Sequence, residues 1–272
     1  MKILAYQPCI EQIQSAADRR GHVRRMLQFL AAKCRQEADI GLILLPELAT
    51  VEYSVESFEK LGELAEPLDG ETFTAVSAFA QKMKCAVCYG WPRVGDGRTF
   101  ISQVVVGPSG DILADYDKLH LAQFGASMEP DYFSRGGKLA VFELQGIRFG
   151  IIICYDFRFS ELIKTLVCTH QVDVILHPVA FAKDATFASW HHFVICRAME
   201  YQIYFLSVNR AGEMWGGSIL CPPWVDYQTQ PIILGEQEEA RLMTIDKQVI
   251  ASVREMYPFR RDKLADYAIL GI

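Results

Sequence analysis

No stretch of the chain approaches the roughly 20 consecutive apolar residues of a membrane-spanning helix, so no membrane partner is expected. The apolar start, Ile3 to Tyr6, is too short for a signal peptide and is interrupted by Gln7-Pro8. Basic charge is in deficit: 27 Lys and Arg against 33 Asp and Glu leave a net charge of −6, which argues against a nucleic-acid partner. The one dense basic cluster, Arg19, Arg20, Arg24 and Arg25, is flanked by Asp18, Glu37 and Asp39 and reads as a solvated helix face. Several signatures are missing. There is no G-x-S-x-G for a serine hydrolase and no G-x-G-x-x-G or P-loop for a nucleotide, and His191-His192 lack the H-E-x-x-H spacing of a metal helix. No cofactor and no metal are therefore expected. The 8 cysteines fall in no recognisable disulfide spacing, which fits a reducing, cytoplasmic compartment. Cys85-Ala86-Val87-Cys88 stands alone, without a second pair or nearby histidines, and reads as structural.

What the chain does have is apolar material in an alternating order. A hydrophobic content of 51% over 272 residues suffices for a large core, and one α/β domain over residues 1–272 is the expectation. Ile3 to Tyr6 reads as a first strand. Val23, Met26, Leu27, Leu30, Ala31 and Cys34 recur at helical spacing. Ile40 to Leu45 is a continuous apolar run, a strand buried on both faces that delivers Glu47 at its C-terminal end, where ligands gather in α/β proteins. A second helix follows through Phe73, Val76, Ala80 and Met83, then a strand over Cys85 to Gly90. Gly107-Pro108-Ser109-Gly110 joins residues 99–106 and 112–117 into a hairpin, with Lys118 just past it. A second hairpin, Leu139 to Leu144 and Ile147 to Cys154, turns at Gln145-Gly146. Val172 to Leu176, Ile203 to Val208, Gly217 to Leu220 and Ala240 to Ile245 read as further strands, and residues 189–200 as a helix. The alternation argues for α/β layers.

The stretch from Gly150 to Leu162 organises the rest. An apolar run ends at Cys154, and helical spacing resumes at Leu162, Ile163, Leu166 and Val167. At such a strand-to-helix turn a side chain stands clear of the sheet, and the backbone N–H groups that open the helix can bind a developing negative charge. A free cysteine is by default a buried core residue, but Cys154 has company. Leu45-Pro46-Glu47-Leu48, Tyr116-Asp117-Lys118-Leu119-His120-Leu121 and Cys154-Tyr155-Asp156-Phe157-Arg158-Phe159 resemble, in order, the three catalytic motifs of the nitrilase superfamily of carbon-nitrogen hydrolases. The similarity continues through Trp190 to Glu200, Asn209-Arg210-Ala211-Gly212, Arg254, and Arg260-Arg261-Asp262 to Tyr267.

The resemblance implies a four-layer α-β-β-α sandwich, usually dimeric or of higher order, with the helix after Cys154 at an interface. It implies Glu47 as general base, Lys118 as the cation and Cys154 as nucleophile, with the N–H of Tyr155 and Lys118 holding the oxyanion. Glu129, 11 residues after Lys118, matches a second glutamate of the family; it would orient Lys118 and raise the pKa of Glu47 by like-charge repulsion. A cationic Lys118 would lower the thiol pKa of Cys154. His120 is expected as a structural partner for the lysine loop. Arg158 and Glu161, three apart, suggest an ion pair, with a substrate-carboxylate clamp as the alternative role for Arg158. Tyr53, Tyr155 and Phe181 are candidate pocket residues.

Two features depart from the family pattern: Ser160 stands where proline is frequent, and Lys183-Asp184-Ala185-Thr186 differs from the stretch that usually follows P-x-A-F, here Pro178-Val179-Ala180-Phe181. The expected activity is hydrolysis of a small linear amide through a thioester, with an omega-amide of a 2-oxo acid as the leading substrate. An N-carbamoyl amino acid amidohydrolase, a catalytically silent scaffold and a redox protein using Cys85 and Cys88 remain open alternatives.

Overall fold

The structure is a computed structural model that describes residues 1–264 except Gln12, Gly125 and Ala126. Tyr267 of the C-terminal motif and the end of the expected 1–272 domain lie outside the described residues.

The elements follow in the order β1 (Lys2–Gln7), α1 (Ala16–Gln36), β2 (Ile40–Leu44), α2 (Val55–Phe58), α3 (Leu61–Leu64), α4 (Glu71–Met83), β3 (Ala86–Gly95), β4 (Arg98–Val106) and β5 (Ile112–Asp117). Then come α5 (Glu129–Tyr132), β6 (Ala140–Leu144), β7 (Ile147–Ile151), a 3₁₀ turn (Cys154–Arg158), α6 (Ser160–Lys164), a π turn (Thr165–Thr169), β8 (Val174–Pro178), α7 (Phe187–Tyr201) and β9 (Tyr204–Val208). β10 (Ile219–Cys221), β11 (Ile232–Ile233), β12 (Glu239–Thr244), α8 (Lys247–Met256) and α9 (Phe259–Asp262) complete the chain. The strands form two six-stranded sheets, β12-β1-β2-β3-β4-β5 and β11-β10-β9-β8-β7-β6.

Strand periodicity explains the layering. Along β1, Ile3 and Ala5 join a core shared with Phe149, Ile151, Val174 and Leu176 of the other sheet, while Leu4 and Tyr6 join a second core with Val23, Met26 and Leu30 of α1 and Val76 and Phe79 of α4. α7 covers the outer face of the second sheet through Trp190, Val194 and Ala198, each fully buried. The result is the expected α-β-β-α sandwich. The neighbouring strands β1 and β2 run parallel, and Glu47 follows β2 at its C-terminal end.

Several boundaries differ from the sequence reading. β3 continues past Gly90 to Gly95 and pairs antiparallel with β4, turning at Asp96-Gly97, both with positive φ (51° and 69°). Asp-Gly is a strong two-residue hairpin signal, but Trp91 and Pro92 interrupt the apolar alternation before it. β7 ends at Ile151 rather than at Cys154, because Cys154 has φ +42° and cannot continue a strand. The helix α8, N-capped by the Asp246 side chain on Gln248 N–H, is absent from the sequence reading although Val249, Ile250, Val253 and Met256 recur at helical spacing; only Ile250 of these is buried. Arg19 is not part of a solvated face. It is 4% exposed, donates to the Glu63 and Leu64 carbonyls and pairs with Glu66 at 3.2 Å, which anchors α1 to the loop before α4. Leu162, Ile163, Leu166 and Val167 are all buried within the protomer, so the apolar residues thought available for a dimer contact are already committed to the core.

Cys85 and Cys88 lie in different cores, Cys85 against α1 and α4 and Cys88 between the sheets, so they do not form a redox pair. Cys85 instead neighbours Cys34 of α1. Burial pushes the Cys88 thiol up to about 12.

Candidate active site

Glu47, Lys118 and Cys154 each leave the fold just past a strand end. Glu47 follows β2, and the next residue, Leu48, has φ +47°. Lys118 follows β5, its N–H bonded to the Ile101 carbonyl at 2.9 Å. Glu129 opens α5, and Cys154 opens the 3₁₀ turn after β7 in the left-handed region, which costs a side-chain-bearing residue of order 1–3 kcal/mol and is held only by surrounding structure.

Glu47, Lys118 and Glu129 are fully buried, and Lys118 Nζ donates to Glu47 Oε1 and to Glu129 Oε1, each at 2.7 Å. Tyr53 Oη donates to Glu129 Oε1 at 2.6 Å and Ala122 N–H to Glu129 Oε2 at 2.7 Å. Ala180 N–H donates to Glu47 Oε2 at 2.8 Å and also faces the thiol of Cys154. The structure therefore brings Glu47, Lys118, Glu129 and Cys154 together. Only Cys154, 9% exposed, reaches the adjoining cavity of about 330 Å³, whose wall includes Tyr53, Tyr155, Arg158, Phe181 and Trp215.

The electrostatics follow from burial. Desolvation raises the Glu47 carboxyl above the usual range; Lys118 opposes this, and the like charge of Glu129 adds to it. Burial works against the Lys118 ammonium, but its two carboxylate partners outweigh that and hold its pKa well above the usual value. The Cys154 thiol also lies well above its usual value, owing to burial and then the Glu47 charge, with Lys118 opposing. This corrects the expectation of a lowered thiol pKa: a lysine shared between two carboxylates has too little field left to stabilise a buried thiolate.

Arg158 forms no ion pair with Glu161. Its Nη2 donates to Ser189 Oγ at 2.9 Å and its guanidinium lies over the Phe157 and Phe193 rings at 4.7 and 4.6 Å. His120 is tied to Asp156, through its backbone N–H at 2.9 Å and its Nδ1 at 2.7 Å. Asp156 is a hub that sequence reading overlooked: fully buried, it also accepts from Tyr116 Oη at 2.7 Å and from Ile153 N–H at 3.0 Å, joining the lysine loop to the cysteine turn. Asp156→Ala should lower stability by roughly 3 kcal/mol, because it strands several buried donors at once; a chemical-denaturation midpoint unchanged from wild type would contradict this.

Two further residues were quoted in a motif without a role. Arg210, buried and without a carboxylate partner among the described residues, donates to the Glu47, Leu48 and Val51 carbonyls and lies over the Trp215 ring at 5.1 Å. Asn209 brackets Phe181, accepting from its N–H at 3.0 Å and donating to its carbonyl at 2.9 Å. Their signal was present as buried polar residues just beyond a strand, but a backbone carbonyl leaves no trace in side-chain pattern. His191 and His192 bond backbone carbonyls, and no cluster of three or more His, Cys, Asp or Glu among the described residues is arranged to hold a metal.

Two facing six-stranded sheets with helices outside match the fold of solved nitrilase-superfamily structures. Residues 5–255 match the carbon-nitrogen hydrolase family, and the chain belongs to it. Human omega-amidase NIT2 is 27% identical over 97% of this chain and 98% of its own length. Omega-amidase NIT3 of Saccharomyces cerevisiae is 26% identical over 97% and 96%. Among solved structures, S. cerevisiae Nit3, described as a member of branch 10 of the nitrilase superfamily, superposes with a TM-score of 0.83 at 23% identity, covering 99% of this chain and 97% of that one. A carbon-nitrogen hydrolase from Helicobacter pylori G27 gives 0.85 at 20% identity over 98% and 96%.

Proposed function

We propose that this protein is a cysteine-dependent amidase that hydrolyses a small linear amide through a thioester on Cys154, releasing ammonia and a carboxylate. The observation that carries the reading is the fully buried Glu47–Lys118–Glu129 cluster set behind a cysteine that alone reaches the cavity. The omega-amidase relatives support the reaction class.

An ammonium has three N–H donors. Two of those on Lys118 are taken by Glu47 and Glu129, which leaves one for an oxyanion. The thiol is protonated before attack, so Glu47 removes the proton as the sulfur bonds to the amide carbon. The resulting oxyanion is held by Lys118 and the N–H of Tyr155. Glu47 returns the proton to the nitrogen, ammonia departs and the thioester remains; Glu47 then takes a proton from water as it attacks the thioester, the C–S bond breaks, the acid is freed and Cys154 regains that proton from Glu47. Glu129 keeps Lys118 oriented, and Tyr53 keeps Glu129 oriented.

The cavity of about 330 Å³ is at the small end for ligand sites. Arg158 in its wall suits a terminal carboxylate, with Tyr53, Tyr155 and Phe181 contacting the carbon chain. Both an omega-amide of a 2-oxo dicarboxylic acid and an N-carbamoyl amino acid carry such a carboxylate; the omega-amidase relatives favour the first. Ammonia release from 2-oxoglutaramate, glutamine, short aliphatic amides, N-carbamoyl amino acids and a nitrile tests the choice. The omega-amide should be preferred; turnover confined to the carbamoyl compounds would reverse it. Arg158→Met should raise KM for the anionic amide roughly tenfold or more and leave a neutral amide little changed, since a charge-assisted pair contributes about 1.5–3 kcal/mol; equal effects on both would remove the clamp.

Glu47 must be ionised to act as base and its pKa is raised, so kcat/KM should climb with pH through an acid limb lying above the ordinary carboxylate range. A limb at the usual glutamate value would contradict that environment. The same reading takes residues 1–272 as a single carbon-nitrogen hydrolase domain, in the cytoplasm, acting as a homodimer or higher homo-oligomer. Eight free cysteines support the reducing compartment; the assembly rests on family resemblance and is tested by sedimentation.

A further inference from the structure

The cysteine turn is held from behind by a chain of hydrogen bonds whose direction is fixed at both ends. Trp190 Nε1–H can only donate, and it donates to Ser207 Oγ at 2.9 Å. At the other end the Cys154 carbonyl, 2.9 Å from His177 Nε2, can only accept, so the neutral His177 ring carries its hydrogen on Nε2 and its Nδ1 accepts from the Ser207 hydroxyl at 2.9 Å. All three side chains are fully buried, and His177 and Ser207 are register partners on the parallel strands β8 and β9. Burial depresses the His177 pKa to about 3, so the ring stays neutral through the physiological range.

The carbonyl of Cys154 and the N–H of Tyr155 belong to one peptide unit. No cis peptide occurs among the described residues, so this unit is trans and planar, and its C=O and N–H point in opposite directions. A donor fixed on the oxygen thereby aims the N–H, and it also polarises it, because linked hydrogen bonds strengthen one another in a low-dielectric interior.

We propose that His177, held in that tautomer with Ser207 and Trp190 behind it, is a positioning residue that orients and polarises the Tyr155 amide for the oxyanion. This rests on the amidase reading above. Trp190 also stacks on Phe181 of the cavity wall, with ring centroids 5.3 Å apart and planes 3° apart, so the chain runs from the cavity wall to the nucleophile turn.

The test separates steps that need an oxyanion from one that does not. Alkylation of Cys154 by iodoacetamide needs the thiol and Glu47 but forms no tetrahedral oxyanion; amide hydrolysis needs both. Loss of a direct oxyanion donor costs on the order of 10²–10³ in kcat, so His177→Leu should lower kcat roughly tenfold to a hundredfold with KM and the Cys154 alkylation rate near wild type. His177→Gln, whose amide nitrogen can occupy the Nε2 position, should recover much of the loss. Ser207→Ala should fall between, because Nδ1 then loses its hydrogen-bond donor. If His177→Leu slows alkylation and turnover equally, His177 merely supports the turn and the proposal fails; unchanged kcat also overturns it. Should His177→Leu not fold, Ser207→Ala and His177→Gln carry the same comparison. Wild-type protein with neither turnover nor selective alkylation would instead refute the amidase reading.

Discussion

Cys154→Ala should abolish amide turnover, by at least about 10⁴-fold, while leaving the folded protein within about 1 kcal/mol of wild type. The activity loss follows because no other thiol reaches the cavity: among the eight free cysteines, Cys154 alone contributes to its wall. The small stability effect follows from position, since alanine at φ +42° meets the same backbone constraint as cysteine and forfeits only a thiol that is pushed toward its neutral form. Cys154→Ser should be equally inactive, because a hydroxyl is far harder for Glu47 to deprotonate. Steady-state ammonia release and a thermal melt on each variant check both halves. Substantial turnover in Cys154→Ala would end the thioester mechanism.

The second large effect is expected at Lys118. Lys118→Met removes the cation that bridges Glu47 and Glu129, both fully buried. Breaking a buried pair by deleting one partner costs about 3–5 kcal/mol, so the melting temperature should fall by roughly 10 °C. Activity should vanish too, since the oxyanion loses its cation and Glu47 its orienting partner. Adding Glu129→Gln to Lys118→Met removes one of the two stranded charges and should restore part of the stability but none of the turnover. That divergence distinguishes a catalytic ammonium from a structural one; recovery of activity together with stability would show that Lys118 serves folding alone.

The contrast between what could and could not be read from the chain is physical. Glu47, Lys118 and Cys154 were legible as candidates because their short motifs resemble the family's in order, and Glu129 because it matches the family's second glutamate near the lysine. The sandwich came from resemblance; periodicity supplied only alternating layers, since a strand buried on both faces, such as Ile40–Leu44, does not say what covers it. The thiol pKa was misread because proximity to a lysine was weighed without burial, the larger effect, and without the carboxylates that share that lysine. Arg210 and His177 escaped assignment for a common reason, each acting on a backbone carbonyl of a loop distant in sequence, while Asp156 joins groups of the lysine loop to its own turn. Arg210 reaches the Glu47 carbonyl across 163 positions and His177 the Cys154 carbonyl across 23. Only the fold brings those partners together, and the strained backbone at Leu48 and Cys154 is what they hold in place.

The most direct measurement is rapid quenching of the enzyme with a slowly hydrolysed amide, followed by intact-mass and peptide analysis alongside the ammonia time course. A stoichiometric burst of ammonia, with the acyl mass on the Cys154 peptide and absent in Cys154→Ala, is the expected result. Ammonia released without a burst or an acylated Cys154, or an acyl group found on another residue, would contradict a thioester formed at this turn.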